Sequence, residues 1–422
     1  MDVILKRRPL AVRGPAKAAK PIFYTLEISR RRVGRTWQLA IAAAGFGSEA
    51  PAAPKRRSIK VIGCDILVAV LSAAMLASPA LADEKLKIGL GGFMEEWVGY
   101  GGNEQSFLDA NVMPISDFDI QSDAEIHFFG KKVLDNGLEV VVLVELEGNS
   151  AGAAPMEIDI AYLELTYPSL GLLQIGDTEH SAWQMHNAAP DVGIGNQDGD
   201  YPNWVLTPGA FTDGAVTGFN PGAGNATKLA YFSPEIAGFS LGASYASETV
   251  GTANARTPFP NASWSLALGY GGEIGGVEVA ADVGYGHMNK GTAMNSHTAW
   301  QAGLNLGFGG LTVGGSVGIF DESLEGNHVG TFMTGYAADV GASYETGPYA
   351  VSVTWLHSEM EGSNATPGDD VKDSFMLSGS MSLGEGVSAI ASLLYVDYDD
   401  ETALAANNNS GIGAVAGIAV EF

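Results

Sequence analysis

Hydrophobic and polar residues alternate with a period of two along most of the chain from Lys85 onward. In residues 300–308, one face carries Trp, Ala, Leu, Leu and Phe, and the other carries Gln, Gly, Asn and Gly. Residues 375–383 and 411–422 repeat this pattern. Because successive side chains of a strand point to opposite faces, the alternation predicts β-strands with one apolar and one polar face.

The connections between these segments also alternate, between short and long. Seven short segments rich in Gly, Asn and Pro, such as residues 135–137 and 384–386, are typical of tight hairpin turns. Eight longer polar segments separate them, near residues 103–114, 148–156, 178–226, 248–262, 287–296, 321–331, 358–371 and 399–410. Together they join sixteen strands, which predicts an all-β, antiparallel transmembrane barrel of the outer-membrane type.

The alternative is a soluble β-sandwich, and the composition of the two faces argues against it. The polar face of a sandwich would carry many charges, whereas here it consists mainly of Ser, Gly, Asn and Gln. Aromatic residues such as Tyr245, Trp264 and Trp355 lie at strand ends, as in the two interfacial girdles of a membrane barrel. Closure would also satisfy the backbone groups that an open edge exposes to lipid. We therefore expect a barrel.

The charge of the chain is acidic and unevenly distributed. The 422 residues include 48 Asp and Glu against 22 Lys and Arg, a net charge of −26. Residues 1–82 carry 14 of the basic and only 4 of the acidic side chains, which leaves 8 basic and 44 acidic side chains for residues 83–422. Binding to nucleic acid requires clustered basic residues, so no nucleic-acid partner is expected.

The N-terminal part has the features of an export signal. A basic cluster at residues 55–60 precedes an apolar stretch at 66–76 and the sequence Ala80-Leu81-Ala82. This order predicts a secretory signal peptide at 55–82, cleaved after Ala82, with a membrane anchor as the alternative. We expect 83–422 to form the barrel and interpret 1–54 as a leader that results from a misassigned translation start, or as a disordered leader. The single cysteine, Cys64, lies in the signal, so the exported part contains no disulfide.

Several motifs resemble Gram-negative porins from alphaproteobacteria. Residues 122–130, 134–139 and 144–147 resemble the second hairpin of that family, and 173–177 with 181–186 resemble the start of its third loop. Residues 228–239 and 242–245 resemble the following hairpin, and 417–422 resemble the C-terminal strand read by the barrel-assembly machinery. The resemblance implies a sixteen-stranded, water-filled, homotrimeric porin in the outer membrane, with a long third loop folded into the lumen.

The candidate pore residues come from this loop and from the barrel wall. The loop at 178–226 has no Lys or Arg, and the alternative is that its acids lie on the surface. On each strand, the charged residues occupy alternate positions and therefore share one face. A charged side chain that faces lipid is costly, so this face should point into the lumen. The candidates for the constriction are Asp191, Asp198, Asp200, Asp213, Glu125, His127, Lys131, Glu145, Lys228 and Asp282. The resembled porins often oppose a basic wall to an acidic loop, and this chain departs from them in having few basic residues.

These residues predict a passive, cation-preferring channel for ions and small hydrophilic solutes, since acidic linings favour cations. A substrate-selective channel is the first alternative, and an outer-membrane barrel enzyme is the second. The histidines show no recognisable nucleophile context, and we expect no enzyme activity. Acids at 369–370 and 397–401 leave loop-bound calcium open as a cofactor, although a solvated acidic rim is the favoured interpretation.

Overall fold

The computed structural model describes residues 85–148, 158–197, 200–212, 216–219, 225–247, 262–289, 296–322, 334–362 and 367–422. The predicted leader at 1–54 and signal peptide at 55–82 lie outside the described residues, as do Asp198 and Asp213. The strands are β1 (Ile88–Gly101), β2 (Phe118–Val133), β3 (Glu139–Glu147), β4 (Ile158–Tyr167), β5 (Gly171–Asp177), β6 (Thr227–Phe232), β7 (Phe239–Ala246), β8 (Ser263–Ile274), β9 (Val277–Asn289), β10 (Ser296–Phe308), β11 (Leu311–Glu322), β12 (Gly335–Thr346), β13 (Tyr349–Glu361), β14 (Asp369–Gly384), β15 (Val387–Asp399) and β16 (Asn409–Glu421).

The strands form one closed antiparallel barrel. Each strand pairs with its neighbours in sequence, and β16 pairs with β1 in a register that runs from Phe93 opposite Glu421 to Gly101 opposite Gly413. Beyond the last paired residue, the backbones of Gly92 and Phe422 exchange two hydrogen bonds of 3.1 Å. The predicted sixteen-stranded barrel is therefore confirmed, and the C-terminal strand takes part in its closure.

The two faces of the barrel differ in polarity in the way that a membrane requires. On β8, the outward side chains of Leu266 and Leu268 are 53% and 39% exposed, whereas Ser263 and Ser265, which point inward, are 0% and 1% exposed. A soluble protein would bury the leucines and expose the serines. An apolar outer face around a polar interior is the arrangement of an outer-membrane barrel.

Short helices occur in two of the predicted connections. Helix α1 (Gln105–Asn111) lies between β1 and β2, where the sequence indicated only a polar loop, and it buries Phe107 and Leu108. Its last residue donates a side-chain hydrogen bond of 3.0 Å to the carbonyl of Ala406, so contacts with a distant loop hold a helix that is short for independent stability. Helix α2 (Ser181–Gln184) and a 3₁₀ turn (Tyr201–Asn203) lie between β5 and β6. Among the described residues, no helix is long and apolar enough to cross a membrane.

Candidate functional site

The long connection between β5 and β6, residues 178–226, is bonded to side chains on the inner face of the barrel. At its beginning, the backbone N–H groups of Ser181 and Ala182 donate hydrogen bonds to the hydroxyls of Ser244 (3.0 Å) and Ser265 (3.1 Å) on β7 and β8. Near its end, the N–H of Phe219 donates to the side chain of Gln301 on β10 at 2.8 Å. The strand residues that accept these bonds are buried and have the inward parity of the polar face.

The middle of this segment is held by two carboxylates of the wall. Asp282 of β9 accepts hydrogen bonds from the backbone and side-chain nitrogens of Asn187, at 2.7 and 3.0 Å. Asp339 of β12 accepts bonds at the same oxygen from the N–H of Ala189 (3.0 Å) and the side chain of Gln197 (2.7 Å). Asp282 was a candidate pore residue, and its 7% exposure makes it an anchor for the segment instead of a group that faces water. Asp339 was not identified, although its inward parity in an alternating strand was a usable signal.

Asp191, the candidate in the middle of the segment, is also a buried acceptor. Its carboxylate accepts hydrogen bonds from the N–H of Gly193 (2.8 Å) and from the hydroxyls of Ser352 (3.1 Å) and Thr354 (3.2 Å) on β13. Burial raises the pKa of Asp191, and these hydrogen bonds oppose the increase. The side chain is 6% exposed, so it ties the segment to β13.

Apolar side chains complete the contact of the segment with the wall. The segment contributes Ile194, Tyr201, Trp204, Val205 and Phe211 to one buried cluster. The wall contributes Trp97 of β1 together with Met376, Ile390, Leu394, Val396, Tyr398, Val415 and Ala419 of β14, β15 and β16. The sequence predicted a mainly polar inner face, and on this side of the barrel apolar side chains interrupt that face where the segment covers it.

Two basic groups stabilise the beginning of the segment. His180 is 1% exposed, and its two ring nitrogens lie 2.8 Å from the hydroxyl of Ser244 and 2.9 Å from that of Ser263. Burial, reinforced by the nearby charge of Lys228, lowers the pKa of His180 well below its ordinary value of 6.5. Lys228, a candidate wall residue, is 3% exposed and donates a hydrogen bond to the carbonyl of Thr178. Its ammonium therefore binds the segment.

Strands β2 and β3 form a wall on which several of the candidate pore residues lie close together. The register places His127 opposite Glu145 and Glu125 opposite Glu147. The Nε2 of His127 lies 2.8 Å from the Oε2 of Glu125. Toward the short turn, Lys131 forms an ion pair of 2.7 Å with Glu139. This wall thus combines several carboxylates with one histidine and one paired lysine.

Asp200 lies where the segment approaches this acidic wall. The side chain of Gln121 on β2 donates a hydrogen bond of 3.2 Å to the carbonyl of Asn203, which joins the segment to the wall. The carboxylates of Asp200 and Asp123 are close enough to repel each other. Asp200 is half-buried and accepts a hydrogen bond of 3.3 Å from the side chain of Asn203.

The acids of the last two long connections differ from the solvated rim that we predicted. Asp370 and Asp400 are 0% and 6% exposed, and their carboxylate oxygens lie within 4.8 Å of one another and of Glu401. Asp370 accepts hydrogen bonds from the N–H groups of Thr212 (2.6 Å) and Glu401 (3.1 Å). The rim interpretation was wrong for these two residues because connections fold over them and use them as acceptors. Asp369, Asp397 and Asp399 are exposed, as predicted.

A closed sixteen-stranded barrel with an apolar exterior and a polar interior defines an outer-membrane β-barrel of channel type. A family profile for Gram-negative porins matches residues 68–401, and the chain belongs to that family. It is an outer-membrane channel protein.

Solved structures share the fold at low sequence identity. A loop-deletion mutant of OmpT, an outer membrane protein of Vibrio cholerae, has 13% identity and a TM-score of 0.55, and covers 80% of this chain and 100% of its own. An anion-selective porin from Comamonas acidovorans has 16% identity and a TM-score of 0.54, with the same coverage. The trimer form of OmpT has 13% identity and a TM-score of 0.55, again with the same coverage. No curated protein matches the chain significantly.

Proposed function

We propose that this porin is a passive diffusion channel that prefers cations and admits ions and small hydrophilic solutes. The single observation that carries the proposal is the acidic inner wall of β2 and β3, where carboxylates outnumber basic side chains. Rings and clusters of carboxylates lower the energy of a cation in a narrow aqueous path and raise that of an anion.

We infer that segment 178–226 folds into the lumen and forms the constriction. Its hydrogen bonds reach inward-facing side chains from β7 to β13, and its apolar cluster lies on β14, β15, β16 and β1. The aqueous path then runs along the remaining wall, which includes β2, β3 and β4. That wall carries the exposed or partly exposed side chains of His127, Lys131 and Glu145, with the buried Glu125 beside them. We propose that these three residues, with Asp200 where the segment approaches the wall, line the path.

The barrel fold is compatible with either selectivity, since an anion-selective porin shares it. Selectivity must therefore come from the side chains along the path. A cation about 6 Å from a carboxylate in water is stabilised by about 0.7 kcal/mol, which is about a threefold change in its local concentration. Several carboxylates acting together are sufficient for a measurable preference.

Planar-bilayer recording under a KCl gradient tests the proposal. We expect stepwise conductance and a reversal potential that favours K⁺, and Asp200→Asn should reduce the permeability ratio by about threefold. The same substitution at Asp198, a candidate from the sequence, extends the series. Glu385→Gln, in the turn between β14 and β15, is the control and should leave the ratio unchanged. A reversal potential that favours Cl⁻ would refute the selectivity, and the absence of steps would refute the channel.

We also propose that the chain assembles as a homotrimer. A shallow depression on the outer face is lined by small side chains such as Ala389, Ala391 and Ala416, by larger apolar side chains such as Tyr349, and by Glu96. Glu96 is exposed on this face and accepts a hydrogen bond of 3.1 Å from Ser122. A carboxylate in contact with lipid is costly, and covering it with a second copy removes that cost.

Gel mobility of boiled and unboiled protein tests the assembly. Unboiled protein should migrate as a trimer and boiled protein as a monomer. Ala416→Trp should convert the unboiled species to monomers because the indole would hold two copies apart. Leu304→Trp changes an outward residue of β10 that is 45% exposed to lipid, and it should leave the trimer intact. Monomers in the unmodified protein would contradict this proposal.

An enzyme is the less supported alternative. His180 contacts the hydroxyls of Ser244 and Ser263, which is the kind of pair that nucleophilic catalysis uses. However, the three residues are 1%, 5% and 0% exposed, so a substrate has no access to them.

We propose export by cleavage after Ala82, and N-terminal sequencing of the mature protein would establish the cleavage site. A start at Met1 would contradict it.

A further inference from the structure

Three donor groups of two chemical kinds converge on the inner wall. One carboxylate oxygen from each of Glu125 and Glu145 and one ring nitrogen of His127 all lie within 4.8 Å of one another. We propose that these three side chains form a binding site for a divalent transition-metal ion of the Zn²⁺ class. The site lies on the wall that the proposed aqueous path follows.

The spacing of the donors is close to what a metal ion needs. Zn²⁺ binds carboxylate oxygen and imidazole nitrogen at about 2.0–2.2 Å, so tetrahedral ligands are separated by about 3.3–3.6 Å. The Nε2 of His127 and the Oε2 of Glu125 are 2.8 Å apart, and both other separations lie under 4.8 Å. Small rotations of these side chains therefore produce a coordination shell without movement of the strands.

The backbone of β2 and β3 places these donors on one face. Glu125 and His127 are two residues apart on β2, and Glu145 is directly opposite His127 on β3. The register of β3 against β4 shifts between Val144 and Leu146, at the position of Glu145. The regular pairing with β2 on the other side of β3 sets Glu145 beside His127, because directly opposite residues of paired strands have neighbouring side chains on one face.

The surroundings restrict the movement of the donors. The ring of Phe93 contacts that of His127 edge-on, with the centroids 6.1 Å apart. The side chain of Glu125 is 5% exposed and that of His127 is 27% exposed, so the carboxylate is enclosed while the imidazole retains access to the lumen. A fixed, partly accessible donor set lowers the entropic cost of binding an ion that arrives from the lumen.

The donor types select the class of ion. One imidazole with two carboxylates suits Zn²⁺ and similar ions, whereas Ca²⁺ prefers shells made only of oxygen. A neighbouring group of Glu125, Glu147 and Asp159 offers only oxygen, also within 4.8 Å. Because Glu125 belongs to both groups, an ion on one occupies a ligand of the other. The histidine therefore distinguishes the proposed site from a site for hard cations.

An ion bound by three protein ligands keeps a coordination position open toward the lumen. Its two positive charges would offset the negative charges of Glu125 and Glu145 on the wall. If the proposed cation preference is right, on which this consequence rests, Zn²⁺ should lower both the K⁺ conductance and the preference for K⁺. Binding itself does not depend on conduction.

The experiment measures binding separately from conduction. The full mature chain, folded in detergent micelles, is dialysed against buffered ZnCl₂, and bound zinc is measured by mass spectrometry. His127→Gln and Glu145→Gln remove one ligand each while keeping side-chain size. His357→Gln is the matched control, because His357 lies on β13 with its Nδ1 3.1 Å from Asp373 and belongs to no three-residue donor group among the described residues.

We expect one zinc ion per chain in the unmodified protein and in His357→Gln, with affinity at least tenfold lower in the two wall variants. X-ray absorption of the zinc-loaded unmodified protein should show one imidazole and oxygen ligands, a result that does not depend on the folding of any variant. No zinc binding at millimolar concentration would overturn the proposal. Affinity unchanged in His127→Gln, or equal displacement by Ca²⁺, would also overturn it. Zinc binding without stepwise conductance would leave this site intact and refute the channel.

Discussion

Replacement of Asp339 by Asn tests whether a single carboxylate fixes the position of segment 178–226. One oxygen of Asp339 accepts bonds from the N–H and hydroxyl of Ser316 on the adjacent strand, at 2.5 and 2.7 Å. The other oxygen accepts bonds from Ala189 and Gln197 of the segment, at 3.0 and 2.7 Å. In Asp339→Asn, the amide oxygen still accepts the bonds from Ser316. The amide NH₂ then faces the N–H of Ala189 and the side-chain NH₂ of Gln197, which are donors and cannot bond to it.

The size of the effect follows from the number of bonds lost. A hydrogen bond to a charged acceptor contributes about 1.5–3 kcal/mol, so losing two costs at least about 3 kcal/mol. Gln197 cannot recover its bond by rotating its amide, because its oxygen already accepts a bond of 2.9 Å from the N–H of Thr217. A cost of about 3 kcal/mol raises the fraction of molecules in which this part of the segment is detached by about 100-fold.

Hydrogen exchange measured by mass spectrometry reports this detachment directly. Peptides covering residues 186–197 should exchange about 100-fold faster in Asp339→Asn, while peptides from β2 and β3 should be unchanged. In bilayers, the variant should show larger and noisier conductance steps. Glu278→Gln removes a carboxylate that is exposed on β9 and serves as the control for charge alone. Exchange in 186–197 that matches this control would refute the anchoring role of Asp339.

Two further predictions concern the barrel backbone and the effect of pH. Gly176 has φ of +143°, and a Cβ there would lie 2.3 Å from the carbonyl oxygen of Ala161, so Gly176→Ala should lower the yield of heat-resistant folded barrel. Gly271→Ala, where a Cβ meets nothing within 4 Å, should fold normally, and equal yields would contradict this reasoning. The pKa of His180 in the folded protein lies below its ordinary value of 6.5. When the pH falls below 6.5, His180 is therefore protonated first in molecules in which the beginning of the segment is detached from the wall. Protonation of that state weakens the anchoring by up to about 1.4 kcal/mol per pH unit. Exchange of peptides around His180 should therefore accelerate from pH 6.5 to 5 after correction for intrinsic rates, and a pH-independent corrected rate would count against it.

The strands were predictable because the membrane imposes a different solvent on each face. Alternation located β8 at residues 264–270, and the structure extends it to Ser263–Ile274. The added residues at the C-terminal end include Gly271, Gly272 and Glu273, and Glu273 pairs with Glu278 of β9. Pairing with β9 continues through residues 271–273, where the alternation of apolar and polar residues is interrupted, to Ile274. Periodicity therefore reports contact with lipid and underestimates the length of the paired strand.

The wall of the candidate site was partly predictable, and the path of the long segment was not. Parity placed Glu125, His127 and Glu145 on one face, and the observed register brings them together. The anchor at Asp339 joins residues 150 positions apart, and no local pattern indicates such a contact. Four inward positions of β15 are apolar, namely Ile390, Leu394, Val396 and Tyr398, which was a visible signal that something apolar covers that part of the interior.

The acids inside this barrel fall into two groups that have the same chemistry and different environments. Irregular backbone inside a barrel leaves N–H groups that need acceptors, and buried carboxylates such as Asp191, Asp282 and Asp339 supply them. Glu145 and Glu147, on β3, have partly exposed side chains on the inner face. Only the second group can act on ions in water, since each buried carboxylate already binds donors of the protein. We therefore expect the net negative charge of residues 83–422 to overstate the charge of the proposed pore lining, and the proposed selectivity to depend on the wall of β2, β3 and β4.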